Sequence, residues 1–375
     1  SVREEQYLLI GPWVHGGTGA AYVGSSVQGE LTYPNAANVS NQMAWDFLNY
    51  YLLDEANDWQ NTPKITYYET GMNTWTSTES NSIEITTYEP IYLSANNGLV
   101  PNSNYGNSTL NSQPANPSPT IGGATLHVSL DQGPYDQNSL DERTDILTFS
   151  SNELLSDFTV SGRTKVIVYV SADVTDCDIS IRLTDVYPDG RSMLITDGIR
   201  RMRFRNGYTQ GAETFMTPGE VYAIEITLPF TNYTWKAGHK LKIYVSGNNA
   251  IRYHVNRQDG GAMYTGTSTQ NATITIHHNN AYPSRIEFPS NTNFLELNES
   301  TKVNLNIYPN PTSDKLHIQS EKSFQSLRIM DLNGRVLINQ DFNSIISTNE
   351  LVSGVYFLIL TNSNGEEEIV KFIRE

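Results

Sequence analysis

From about residue 63 onward, apolar side chains recur at every second position in short runs. A period of two can be buried only on the face of a β-sheet. Lys165–Val170 and Ile179–Leu183 alternate in this way, as do Val221–Leu228, Leu241–Val245 and Ala272–Ile276, with Pro188-Asp189-Gly190 as a turn between strands. Upstream, Ile65–Gly71 reads as a strand closed by Met72–Trp75, and Ile83–Tyr88 and Ile91–Leu93 read as two more. Residues Asn96 to Pro119 are rich in Asn, Ser and Pro and are expected to form a long irregular loop. Eight or more strands at this spacing make a sandwich.

Composition removes several classes of function. Against 24 Lys+Arg there are 40 Asp+Glu, a net charge of −16 that argues against nucleic acid or an anionic membrane as partner. No apolar run approaches the ~18 residues of a membrane span. The single cysteine, Cys177, has no internal disulfide partner and reads as a small buried hydrophobe. An acidic surface rich in Asn and Thr suits a secreted protein. The 375 residues suffice for two or three domains.

The first sixty residues carry a different pattern. Tyr7–Ile10 is an apolar run long enough for a strand buried on both faces, and Gly11-Pro12 stops it. Trp13 and His15 follow on a loop, with Gly16-Gly17 allowing a sharp turn behind the histidine. A Gly/Ala/Ser-rich loop then runs through Val27. Ser40 can cap a helix in which Met43, Ala44, Phe47, Leu48 and Tyr51 recur at spacings of three and four, ending near Leu53-Asp54. A histidine just past the carboxyl end of a buried strand stands where open α/β sheets place their chemistry. It is also where α/β-hydrolases carry the last member of a Ser, Asp/Glu, His triad. Taken alone, a loop histidine is more often an ordinary surface or hydrogen-bonding residue. The chain starts without Met or a signal-peptide core and leads straight into the first strand, which reads as the C-terminal part of a longer protein.

The segment GPWVHGG (11–17) resembles the histidine segment of the serine-hydrolase family that includes X-Pro dipeptidyl-peptidases, cocaine esterase, α-amino acid ester hydrolases and glutaryl acylases. GELTYPN (29–35), YYETGMNTW (67–75), PSPTIGG (117–123), GPYDQ (133–137), DERTDILTF (141–149), TPGEVYAIEITL (217–228), AGHKLKIYVSG (237–247) and YPSRIEFP (282–289) follow in the family's order. The resemblance implies that residues 1–56 are the C-terminal remnant of an α/β-hydrolase domain and that 57–290 form a jelly-roll β-sandwich. It also implies that His15 is the general base of a triad whose other members lie outside this sequence. No cofactor is implied. The substrate would be a small acyl ester, amide or peptide, and the segment by itself is expected to be inactive. The loop Pro119–Gly123 is the stretch expected nearest the site, because glycine permits close backbone approach. A non-enzymatic alternative is a secreted carbohydrate-binding or adhesive β-sandwich, with 22 Tyr and 5 Trp to supply stacking faces.

Other reactive side chains read as structural. Asp173, Asp176 and Asp178 lack the glycine and terminal glutamate of a calcium loop. Asp185 and Asp189 are expected to bond turn amides, and His239 to be a hydrogen-bonded turn residue. His277-His278 has no third zinc ligand at a recognisable spacing. Arg200, Arg201, Arg203 and Arg205 are expected to pair with carboxylates.

Asn291–Ser300 has linker composition. Beyond it, Val303–Tyr308, Leu316–Ile318, Ser326–Asp331, Val336–Phe342, Val355–Thr361 and Glu367–Ile373 read as short strands, with Asn333-Gly334 as a hairpin turn. YPNP, DLNGRV, LVSGVYFLIL and the terminal VKFIRE resemble the sorting domain of the type IX (Por) secretion system. That resemblance implies a small immunoglobulin-like sandwich over 301–375 that engages the type IX machinery. It further implies a Bacteroidetes-type bacterium and export across the outer membrane, to a secreted or cell-surface location. The chain as a whole is therefore expected to be mainly β.

Overall fold

A computed structural model describes residues 6–15, 26–102, 106–209, 211–292, 294, 305–320, 323–331, 334–362 and 367–375. The Gly16-Gly17 turn, most of the loop before Val27, most of the 291–300 linker, Val303 and Asn333 lie outside them. The chain divides into two compact units, Ser1–Asn298 and Glu299–Glu375.

Most of the first unit is a β-sandwich. Its strands form one hydrogen-bonded path, running from Ser192–Arg201 through Asp178–Val186, Lys240–Ser246, Ile146–Ser150, Gly98–Val100, Tyr88–Ser94, Arg285–Pro289 and Phe158–Ala172 to Ala272–Asn279. The path folds over itself, because one continuous core draws side chains from nearly all of these strands. Phe158, Trp235 and Phe288 sit at its centre in mutual edge and tilted contacts of 5.4–5.9 Å. Phe158–Ala172 is the hub. It pairs along one edge with Tyr222–Trp235, and along the other with Arg285–Pro289 and then Ala272–Asn279.

Several sequence expectations need correcting. The expected loop 96–119 contains two strands, Gly98–Val100 and Asn107–Ser112. Each carries a single buried leucine, Leu99 or Leu110, so the alternation is too short to read without its pairing partner. The stretch from Ile83 is extended only from Tyr88, as the strand Tyr88–Ser94. Asp185 does not bond turn amides: it is buried and holds His239 Nδ1 (2.9 Å) and the Tyr233 hydroxyl (2.8 Å). Asp189 does accept the Arg191 amide at 3.0 Å. Arg201 and Arg203 pair with Asp178 and Asp176 as expected, but Arg200 and Arg205 donate to backbone carbonyls instead. Cys177 is fully buried, which pushes its thiol pKa up.

The N-terminal segment lies against the sandwich. Leu8–Ile10 runs parallel to Ile65–Glu69, which turns back as Thr74–Thr78. Gly71 sits at positive φ in that turn, and a Cβ there would fall 2.0 Å from the Thr234 carbonyl oxygen, so only glycine lets the turn meet the sandwich. The expected burial of the first strand on both faces is not found. Leu8 is half exposed, because among the described residues the strand has one neighbour only. The helix Val39–Leu53 forms as expected, but its N-cap is Asn38 in the left-handed region, with no side-chain cap from Ser40. None of its residues is buried. Trp45 (63% exposed), Leu52 (71%) and Leu53 (64%) face outward. Among the described residues no helix is long and apolar enough to cross a membrane.

The second unit has its own core, built from Leu316, Leu327, Ile329, Leu358, Leu360 and Phe372 with their neighbours. A four-stranded sheet, in the order Val336–Asp341, Ser326–Asp331, Gly354–Thr361, Glu367–Arg374, accompanies a three-stranded one of Asn306–Tyr308, Lys315–Gln319 and Ile345–Ser347. The hairpin at Gly334 is closed by Asp331, whose side chain accepts the Arg335 amide at 3.0 Å.

Candidate active site

Proline and glycine end the first strand at Ile10, and the chain leaves it as the loop Gly11–His15. Trp13 pins this loop by donating its indole N–H to the Ala36 carbonyl (3.1 Å). Two more aromatic donors hold the preceding carbonyls: Trp75 bonds Asn35 O at 2.9 Å, and the Tyr68 hydroxyl bonds Pro34 O at 2.9 Å. The segment Pro34–Ala36 is thus gripped by three consecutive side-chain bonds. Each neutral bond contributes of order 1 kcal/mol, and together they fix where the loop can lie.

His15 is exposed at the rim of a cleft of about 550 Å³ between this segment and the sandwich. Trp13, Tyr33, Tyr67 and Tyr68 line one side. The sandwich contributes Gly123, Ala124 and Leu126, then Met193–Asp197 and Pro229–Tyr233. The glycine at the end of the Pro119–Gly123 loop therefore shares the cleft with His15. Among the described residues Asp197 is the one carboxylate of the lining, and it is already engaged, by Asn249 Nδ2 at 2.9 Å and by an ion pair with Arg252.

The loop is held by buried groups that carry no sequence signal. Arg182, 1% exposed, donates to Pro119 O (2.8 Å) and Ser118 Oγ (3.1 Å), and burial pulls its guanidinium down to about 10. Thr120 bonds Asn249 Oδ1 at 2.6 Å, and Gln137 bonds Ile121 O at 3.0 Å. Nothing in the strand pattern marks Arg182, since an arginine inside a buried strand reads as an outward position.

The other titratable residues weighed from sequence stand apart from His15. His277 bonds Ser171 (2.8 Å) and His278 bonds Ser108 (3.0 Å). Asp176 and Asp178 share Asn256 between their ion pairs, and Asp173 accepts the Thr273 amide. Among the described residues no cluster of His, Cys, Asp and Glu is placed to hold a metal.

Burial raises the hydroxyl pKa of Tyr33 and Tyr233 in the cleft wall, and of Tyr244 behind it, well above the ordinary value. Above pH ~10 the unfolded chain loses these protons while the folded chain keeps them, so stability falls as pH rises. Each tyrosine contributes a slope of about 1.4 kcal/mol per pH unit. Arg182 has the opposite sign, because its folded pKa is depressed, but it is one group against three. We expect urea unfolding midpoints to drop steeply between pH 10 and 11. A flat midpoint over that range would contradict the burial of these hydroxyls.

Comparison with known proteins first defines the class. The structure superposes on an aminopeptidase from a Thaumarchaeota archaeon of marine sediment with a TM-score of 0.66 (22% identity, covering 76% of this chain and 49% of that one). It superposes on an α-amino acid ester hydrolase with a TM-score of 0.68 (25% identity, 76% and 50%). The sequence is 29% identical over 297 residues to the cocaine esterase of Rhodococcus sp. (strain MB1 Bresler), covering 75% of this chain and 51% of the esterase. Residues 57–287 match the X-Pro dipeptidyl-peptidase C-terminal non-catalytic domain, and the chain belongs to that family. Residues 306–375 match a secretion system C-terminal sorting domain. The chain spans about half the length of the relatives it matches.

Proposed function

We propose that the chain is the C-terminal half of a secreted serine hydrolase that cleaves an ester or amide acyl bond. His15 is its general base. The hydroxyl of a serine in the other half passes its proton to His15 Nε2, the serine oxygen attacks the acyl carbon, and His15 returns the proton to the leaving group. Water then releases the acyl group by the same relay. A carboxylate from the other half holds the Nδ1 proton and so fixes the tautomer.

The observation that carries this reading is the placement of His15. It follows the carboxyl end of a parallel-paired strand and opens onto a cleft. The groove beside the helix, about 640 Å³, is lined by Tyr7, Leu9, Met43, Phe47, Leu48 and Trp59. Together with Trp45, Leu52 and Leu53 it offers an apolar area of the kind that packs against another folded body. The similarity to cocaine esterase supports an ester or a related acyl substrate. The sorting-domain match supports export through the type IX machinery, with residues 306–375 as the address.

The test is fluorophosphonate labelling of the protein that carries both halves. One labelled serine is expected outside this sequence, and the chain 1–375 alone should remain unlabelled and hydrolyse p-nitrophenyl acetate no faster than buffer. Labelling within 1–375, or turnover by it, would overturn the assignment. A two-half protein with no reactive serine would favour a glycan-binding sandwich instead.

A further inference from the structure

We infer that Gln28 is a positioning residue for the His15 loop, and that the β-sandwich helps to hold the general base through it. The inference rests on the reading of His15 given above. Gln28 lies on the short hairpin of Val27–Gln28 and Leu31–Thr32, and its side chain is 4% exposed. Its Oε1 accepts the backbone N–H of Val14 at 3.0 Å, on the peptide next to His15.

The hairpin is in turn fastened to the sandwich. The Glu30 amide donates to Pro134 O at 2.9 Å, and Glu30 Oε2 accepts the Asp136 amide at 2.9 Å. Asp136 Oδ1 accepts the Ser192 amide at 2.8 Å, at the start of the strand that walls the cleft. Gly29 has φ 56°, and a Cβ there would lie 2.4 Å from the Pro134 carbonyl oxygen, so the contact excludes any larger residue. A path of hydrogen bonds, joined by the hairpin backbone between Glu30 and Gln28, therefore runs from the strand Ser192–Arg201 through Asp136 to the Val14 amide. On the other side Trp13 holds the loop to Ala36. Both bonds hold the loop on the N-terminal side of His15.

Gln28→Ala removes the acceptor, whereas Gln28→Glu keeps a carboxyl oxygen at the same reach. In ¹⁵N-labelled chain we expect Gln28→Ala to speed hydrogen exchange of the Val14 amide about tenfold, the scale of one lost hydrogen bond, and to move the His15 ring resonances. Core amides of Phe158–Ala172 should keep their protection. Gln28→Glu should restore both Val14 and His15, and Glu30→Ala should move them in the same direction as Gln28→Ala. In the protein with both halves, Gln28→Ala should lower kcat about tenfold or more with KM little changed, since small misplacements of a base are felt in the chemical step. Unchanged Val14 exchange overturns the proposal. So does equal loss of protection in Phe158–Ala172, or a Gln28→Glu variant as impaired as Gln28→Ala. Exchange at Val14 is read whether or not His15 is the base, so a Gln28 effect on exchange in a protein whose hydrolysis survives loss of His15 would sink the base assignment alone.

Discussion

If His15 is the general base proposed above, replacing it by alanine in the protein that carries both halves is expected to lower ester hydrolysis by about 10⁴- to 10⁶-fold, with KM little altered. The size follows from the role proposed for the imidazole. Without it the serine hydroxyl must ionise unaided and the leaving group departs unprotonated, while binding and any oxyanion donors remain. The exposed position of His15 also predicts that the variant folds normally, because no core contact is removed. Steady-state kinetics on p-nitrophenyl esters, with the unfolding midpoint as control, makes the comparison. A variant that retains even a tenth of the activity would remove His15 from the mechanism.

The second large effect belongs to the sandwich. Arg203 Nε and Asp176 Oδ2 are 2.7 Å apart, and both side chains are nearly or fully buried. Asp176 also accepts the Arg203 amide (2.9 Å) and Asn256 Nδ2 (2.8 Å), so the carboxylate is well solvated by protein groups so long as the guanidinium is present. Arg203→Met leaves a buried carboxylate without its counter-charge and should destabilise the first unit by about 3–5 kcal/mol. The control is Arg191→Met. It breaks the exposed pair with Asp189, at 2.9 Å, for which about 0–1 kcal/mol is expected. Urea titrations of the two variants side by side decide the matter. Equal losses would mean that burial does not set the difference.

The comparison of these two pairs shows how the sequence was legible and where it was not. The arginines after 200 were readable as partners of carboxylates, but the sequence did not mark Asp176 and Asp178 as those carboxylates. That Arg201 and Arg203 take the carboxylates while Arg200 and Arg205 bond to carbonyls depends on how the strand Ser192–Arg201 passes into the 3₁₀ turn Met202–Phe204, which a period of two does not describe. Asp185 and Asp189 looked alike beside a turn, yet one is buried against His239 and the other is exposed. Ser40 had the chemistry of a helix cap, but the chain enters that helix through Asn38 in the left-handed region.

The sequence by itself determined the β character of the chain and the position of the helix, because periods of two and of 3.6 are local properties of the order of residues. It also singled out His15, through a strand, a proline–glycine stop and a histidine in immediate succession. Only the tertiary structure decided what surrounds that histidine. Leu110 became a strand residue because the distant strand Ala272–Asn279 supplied its pairing, whereas Leu99 pairs in a tight hairpin with Leu93. Arg182, Asn249, Gln137 and Gln28 hold the cleft from positions more than a dozen residues from most of the groups they bind, and no local pattern records such bonds. A hydrogen bond between distant residues forms only when the fold brings donor and acceptor within about 3 Å, so most of the cleft's walls belong to the folded chain, and the sequence marked only the histidine and the loop that ends at Gly123.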